Sequence, residues 1–159
     1  MYKSITTSLL LSAVSLAAAA APTPAEIGQQ AQQYVSMVAC DPVKDSFRTL
    51  KLWTNPSDRP SGAHQDIKDI YVTRWVGDYG CHEGYEGMNL VFTVVRHDGR
   101  SYIDVAANYP LLPHADPFKA DIQQGDNGQL TVLNADQDGG SVVWHFDESD
   151  MGVALKEGV

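Results

Sequence analysis

WVGDYGCHEGYEGMNLVFTVVRHDGR, residues 75–100, decides how the rest of the chain is read. It holds the end of one strand, a glycine-rich bend containing Cys81, a second strand and a hairpin turn. Gly77, Gly84 and Gly87 cluster around the bend, which points to backbone conformations that side chains would strain to reach. After it, Met88, Leu90, Phe92 and Val94 alternate with Asn89, Val91, Thr93 and Val95, so each set lines one face of a strand. Upstream, residues 70–79 alternate too, with Tyr71, Thr73 and Trp75 on one face and Ile70, Val72 and Val76 on the other. His97-Asp98-Gly99-Arg100 reads as a hairpin turn with a two-residue Asp-Gly loop.

Strand signals continue downstream. Residues 101–109 return as a strand carrying Tyr102, Ile103 and Val105, and Pro110, Pro113 and Pro117 mark a loop. Further strands are expected at 118–123, 129–134 and 141–147, separated by Gly- and Asp-rich turns, with a frayed tail from Glu148. Towards the N-terminus the signals are helical. Thr23 reads as an N-cap, Pro24 as the first helical residue and Glu26 as the closing member of a capping box. Ile27, Ala31, Tyr34, Val35 and Val38 then recur at helical spacing. Asp41-Pro42 suggests a second cap, and Val43, Phe47, Leu50 and Trp53 suggest a second helix with Lys44, Arg48 and Lys51 on its other side. The Asn-, Pro-, Ser- and Gly-rich stretch 55–62 is a loop within one domain. The expected fold is α+β: an N-terminal helix pair packed on an antiparallel meander, or a partly closed barrel, of about six strands.

Residues 1–20 have the pattern of a signal peptide, with Lys3, an apolar run over 9–16 and small residues over 17–21; cleavage is expected near Ala20. The apolar run is shorter than the roughly 20 residues a membrane span needs, and no cysteine follows it to carry a lipid anchor. The remainder, 21–159, is expected to be a single extracytoplasmic domain, periplasmic or secreted. Without Lys3 it has ten basic against twenty acidic residues, a formal charge of −10. That excess argues against nucleic acid and anionic membrane surfaces and favours a basic protein partner. In an oxidising compartment the two cysteines, Cys40 and Cys81, are expected to pair.

Chemistry-bearing patterns are sparse. In the bend, a cysteine, a histidine and a carboxylate (Cys81, His82, Glu83) adjoin, but an oxidised cysteine is no nucleophile, and neighbouring residues on a strand point opposite ways. His114-Ala115-Asp116 lies in the proline loop, and the five histidines show no metal-ligand spacing. Asn134-Ala135-Asp136-Gln137-Asp138-Gly139 places oxygens like a calcium loop, yet His145 stands where a bidentate glutamate is required. No catalytic residue, metal or cofactor is expected, and the chain reads as a non-enzyme.

Trp75-x-Gly77-x-Tyr79-x-Cys81-x-x-Gly84-x-x-Gly87-Met88-x-Leu90 resembles the W-x-G-x-Y-x-C-x-Q-G-x-T-G-L-x-L motif of small secreted β-rich domains with no assigned activity. Glu83, Glu86 and Met88 depart from it. The likeness extends in order through 102–128, about a third of the chain, and implies fold rather than function. Tyr79-x-Cys81-x-x-Gly84 also resembles periplasmic inhibitors related to the membrane-bound inhibitor of C-type lysozyme. Gly99-Arg100-Ser101-Tyr102 echoes their S-G-x-x-Y segment without its serine, and no inhibitory residue is carried over. The function expected is a non-enzymatic binding protein, an inhibitor or immunity-type protein neutralising a toxin or cell-wall hydrolase. Its expected contacts are carboxylates and aromatics on turns: Asp78, Tyr85, Glu86, Asp136 and Asp138. The alternatives are a small-ligand carrier with a curled-sheet pocket, whose cavity would lie between the Met88–Val94 face and Trp144, and a hydrolase with an unrecognised site.

Overall fold

The structure, a computed structural model, describes residues 20–55, 66–81, 87–111, 119–125, 129–133, 140–147 and 152–156. The expected targeting segment falls outside them up to residue 19. Among the described residues no helix is long and apolar enough to cross a membrane.

Helix α1 (Pro24–Val38) starts as its sequence dictates. The Thr23 hydroxyl accepts from the Glu26 backbone N–H at 3.3 Å, and the Glu26 carboxylate accepts from the Thr23 N–H at 2.7 Å. Ile27, Ala31 and Val35, one helical stripe, are fully buried. The chain then turns directly into a two-residue strand, β1 (Ala39–Cys40).

The expected second helix is not formed. Lys44–Ser46 makes a single 3₁₀ turn, and Arg48–Thr54 is strand β2, antiparallel to β3 (Ile67–Tyr79). A bulge explains the misleading spacing. The register shifts between Lys51 and Trp53, so Leu50 (opposite Val72) and Trp53 (opposite Ile70) share a face although they are three residues apart. An inserted residue turns period two into a spacing of three, which mimics a helix. The N-terminal layer is therefore one helix.

The strands that follow are antiparallel, as expected: β4 (Gly87–Arg96), β5 (Ser101–Leu111), β6 (Asp121–Gln124), β7 (Gln129–Leu133) and β8 (Val142–Asp147). The tail contributes a further strand, β9 (Gly152–Lys156), paired with β8 rather than frayed. They form two sheets. The first has the order β1-β3-β4-β5 with β2 also paired to β3, and the second has the order β6-β7-β8-β9. Neither ladder closes into a barrel among the described pairings. The hairpin after β4 has a three-residue loop rather than two: Arg96 pairs with Arg100, a turn bond runs from Gly99 N–H to Arg96 O at 3.0 Å, and only Gly99 has a positive φ, +83°. That combination is a type I turn followed by a left-handed glycine.

The two alternations read from the sequence define the two sides of the first sheet. Tyr71, Trp75, Val91 and Val95 pack under α1. Ile70, Val72, Met88, Leu90, Phe92 and Val94 pack with Ile122, Leu130 and Val132 of the second sheet. The molecule is thus three layers, helix on sheet on sheet, with β3 and β4 covered on both faces.

At the bend, Gly77 has φ +154°, and a Cβ there would lie 2.8 Å from Trp75 Cζ3 and 3.1 Å from the Pro42 Cα. Gly77→Ala should destabilise the fold by about 1–3 kcal/mol, read as a lower urea midpoint at unchanged m-value. At the helix start, backbone and side-chain hydrogen bonds from Thr23 lower the Glu26 pKa. Bonds from the Arg100 side chain and backbone do the same for Asp98 in the hairpin. Depressed carboxylate pKa values stabilise above the ordinary carboxylate range and lose that contribution as pH falls through the folded values. Amide protection at Glu26 and Arg100 should therefore fall on acidification below about pH 4, ahead of that in β3 and β4.

Candidate functional site

Two places on the first sheet gather polar groups without satisfying them, and both lie on the face of β3 that carries Ile70, Val72 and Val76. The first is the end clamped by the disulfide. Cys40 and Cys81 are bonded, with Cα atoms 5.0 Å apart, and both residues are exposed. The cross-link is consistent with an oxidising, periplasmic or secreted setting, and it removes the Cys81 thiolate that a nucleophile would need. The clamp is reinforced by backbone. Cys40 pairs with Asp78 and Ala39 with Tyr79, while Gly80 N–H donates to Val38 O at 3.1 Å. Across the bend, the Asn89 amide donates to Gly77 O and Gly87 O, each at 3.0 Å.

Asp78 is half-buried at this end, and its Oδ1 is shielded from solvent without a hydrogen-bond partner among the described residues. Beneath α1, Tyr34 Oη and Tyr79 Oη lie 3.4 Å apart, and Trp75 rests between Phe47 and Tyr79 with ring centroids 6.4 and 6.5 Å away. Met37, in the last turn of α1, is 76 % exposed. The clamped end therefore offers a half-buried carboxylate and an exposed disulfide on a rigid base. Of the other expected contacts, Tyr85, Glu86, Asp136 and Asp138 lie outside the described residues, as do His82, Glu83, His114 and the calcium-like loop 134–139. No group of three or more His, Cys, Asp or Glu residues suited to a metal ion occurs among the described residues.

The second place is a cleft of about 410 Å³ where the 3₁₀ turn, β2 and β3 meet β6. Pairing sets Arg48 directly opposite Arg74, so two guanidinium groups share one face. Asp121 on β6 stands against both: its Oδ2 bonds Arg48 Nη1, and its Oδ1 lies 3.8 Å from Arg74 Nε. Arg74 is 13 % exposed in its side chain, and its Nε and Nη1 have no hydrogen-bond partner among the described residues. Burial pushes the Arg74 pKa down; Asp121 opposes that shift and Arg48 adds to it. The Ser46 hydroxyl, also in the cleft wall, donates to Val43 O at 2.6 Å and accepts from Val76 N–H at 2.8 Å, which ties the wall to β3.

The sequence stripe Lys44, Arg48, Lys51 does not survive as a stripe. Arg48 faces the cleft, whereas Lys51 lies on the helix side, 3.1 Å from Asp69 Oδ1 and over the Tyr71 ring. The cleft escapes the strand pattern, which names Ile70, Val72 and Val76 but not Arg74. Its signal was there: an arginine within the inward set Ile70, Val72, Arg74, Val76.

No protein-family model, curated protein or solved structure matches this chain.

The disulfide closes a sequence separation of 41 residues. Cys40→Ser with Cys81→Ser should cost about 4 kcal/mol in the chain-entropy account, measured by denaturant titration against the oxidised chain.

Proposed function

We propose that the chain is a non-enzymatic periplasmic or secreted binding protein of the inhibitor or immunity type, acting on a basic toxin or cell-wall hydrolase. The observation that carries this reading is Asp78. Its carboxylate is held at the disulfide-clamped end of β3 with one oxygen shielded from solvent and without a donor among the described residues. A carboxylate kept this way costs folding free energy that a partner's lysine or arginine would offset on binding. The formal charge of −9 supplies long-range attraction for a basic partner. The likeness of Tyr79-x-Cys81-x-x-Gly84 to lysozyme inhibitors points the same way, and Tyr85, Glu86, Asp136 and Asp138 are proposed to extend the surface.

Among the described residues, the strand face from Met88 to Val94 is filled by Ile122, Leu130 and Val132. That packing favours recognition by the outer surface over enclosure of a carrier's ligand.

The test is inhibition of a basic C-type lysozyme and of a panel of basic wall hydrolases, followed as clearance of a cell-wall suspension. Inhibition should weaken with added salt, and Asp78→Asn should reduce affinity by about tenfold or more. Full hydrolase activity at low salt in the presence of excess oxidised chain would count against the proposal.

A further inference from the structure

We propose that the cleft between β2, β3 and β6 binds a small ligand bearing an oxyanion, a carboxylate or a phosphate, which the Arg74 guanidinium receives. This site is separate from the Asp78 surface and requires no protein partner.

The charges lining the cleft are unevenly paired. Arg48 and Arg74 lie side by side because their strands pair at that register, and like charges so placed repel. Asp121 does not bond both. Its Oδ2 is taken by Arg48, and its Oδ1 accepts the Ile122 backbone N–H at 2.8 Å. Arg74 Nε, at 3.8 Å from that oxygen, is beyond hydrogen-bond reach. Two of the three Arg74 nitrogens are therefore shut away from water with nothing to donate to among the described residues. A guanidinium remains charged at any physiological pH, so its unfilled donors cannot be relieved by losing a proton. A purely structural arginine would close on its carboxylate; this one is held short of it, in the wall of the open cleft.

That space has the size and lining of a ligand site. About 410 Å³ is within the usual range for small-molecule clefts. Phe47 and Ala120 give it apolar wall, and Lys119 adds a third basic residue to Arg48 and Arg74. The carboxylates there are Asp45 and Asp121, so the cleft is locally positive in a chain of formal charge −9. Asp45 would repel a bare dianion and would accept from hydroxyl groups. The chemistry that fits is a sugar-sized molecule with one oxyanion and several hydroxyls, an acidic sugar or a sugar phosphate.

The experiment titrates the intact oxidised chain with glucuronate, with glucose 6-phosphate and with neutral glucose, by calorimetry and by the Arg74 Nε–Hε resonance. At least one charged sugar should bind about tenfold or more tightly than glucose and shift that resonance; which of the two does so separates the carboxylate from the phosphate source. Arg74→Met should abolish the preference while retaining the wild-type melting temperature or raising it, because a poorly paired shielded cation is removed. Charged and neutral sugars binding alike would overturn the proposal. So would undiminished preference in Arg74→Met, or an Nε–Hε signal unmoved at saturation. Should Arg74→Met fail to fold, the resonance in the wild-type chain decides the matter alone. Neither result depends on whether a hydrolase is inhibited.

Discussion

β3 and β4 are buried on both faces, and that constraint governs the other elements. A one-residue slip between them would exchange the two faces of one strand. It would drive Asn89 and Thr93 into the layer of Ile122 and Leu130, and Leu90 and Phe92 against the helix. The first exchange takes the Asn89 amide away from Gly77 O and Gly87 O, and the second crowds the Ile27, Ala31 and Val35 stripe of α1. Ala31 and Val35 meet Trp75 and Val91 on one side, and Val72 and Phe92 meet Leu130 and Val132 on the other. Helix and second sheet thus dock on opposite faces of one two-strand ribbon. The disulfide and the Asn89 amide both act at its bend, where pairing ends at Gly77 and Gly87.

Features governed by short-range periodicity were legible. The capping box of Thr23 and Glu26, the buried stripe of α1 and the two faces of β3 and β4 could be read residue by residue. The disulfide followed from compartment and count. β2 was not legible, because its bulge removes the alternation that marks a strand and its formation depends on pairing with β3 some 20 residues later. The three-residue hairpin shows a finer limit. Asp-Gly suits two turn geometries, and the difference is whether Asp98 also adopts a positive φ; it does not, and instead its carboxylate caps the Arg100 N–H at 3.0 Å.

The two candidate sites were unequally visible for the same reason. Asp78 could be picked out as a carboxylate beside a glycine bend. The Arg48 and Arg74 pair requires the register of two strands, and the role of Asp121 requires the packing of one sheet on another. An arginine in an otherwise apolar alternation was the only local trace. It marks where the interior between the sheets opens into the cleft: Val72 is fully buried, Arg74 is not, and Asp121 lines the opposite edge at 39 % exposure.

Charge on this molecule works on two length scales. The excess of carboxylates acts over a Debye length of roughly 8 Å at physiological salt, so it draws in basic partners and repels anions from a distance. The cleft acts over a few ångströms, through a guanidinium whose side chain is 13 % exposed. Salt should therefore weaken attraction at the Asp78 surface while lifting the repulsion that a small anion meets on approach to Arg74. An acidic exterior and a basic recess are then compatible, because screening reaches the first and largely spares the second.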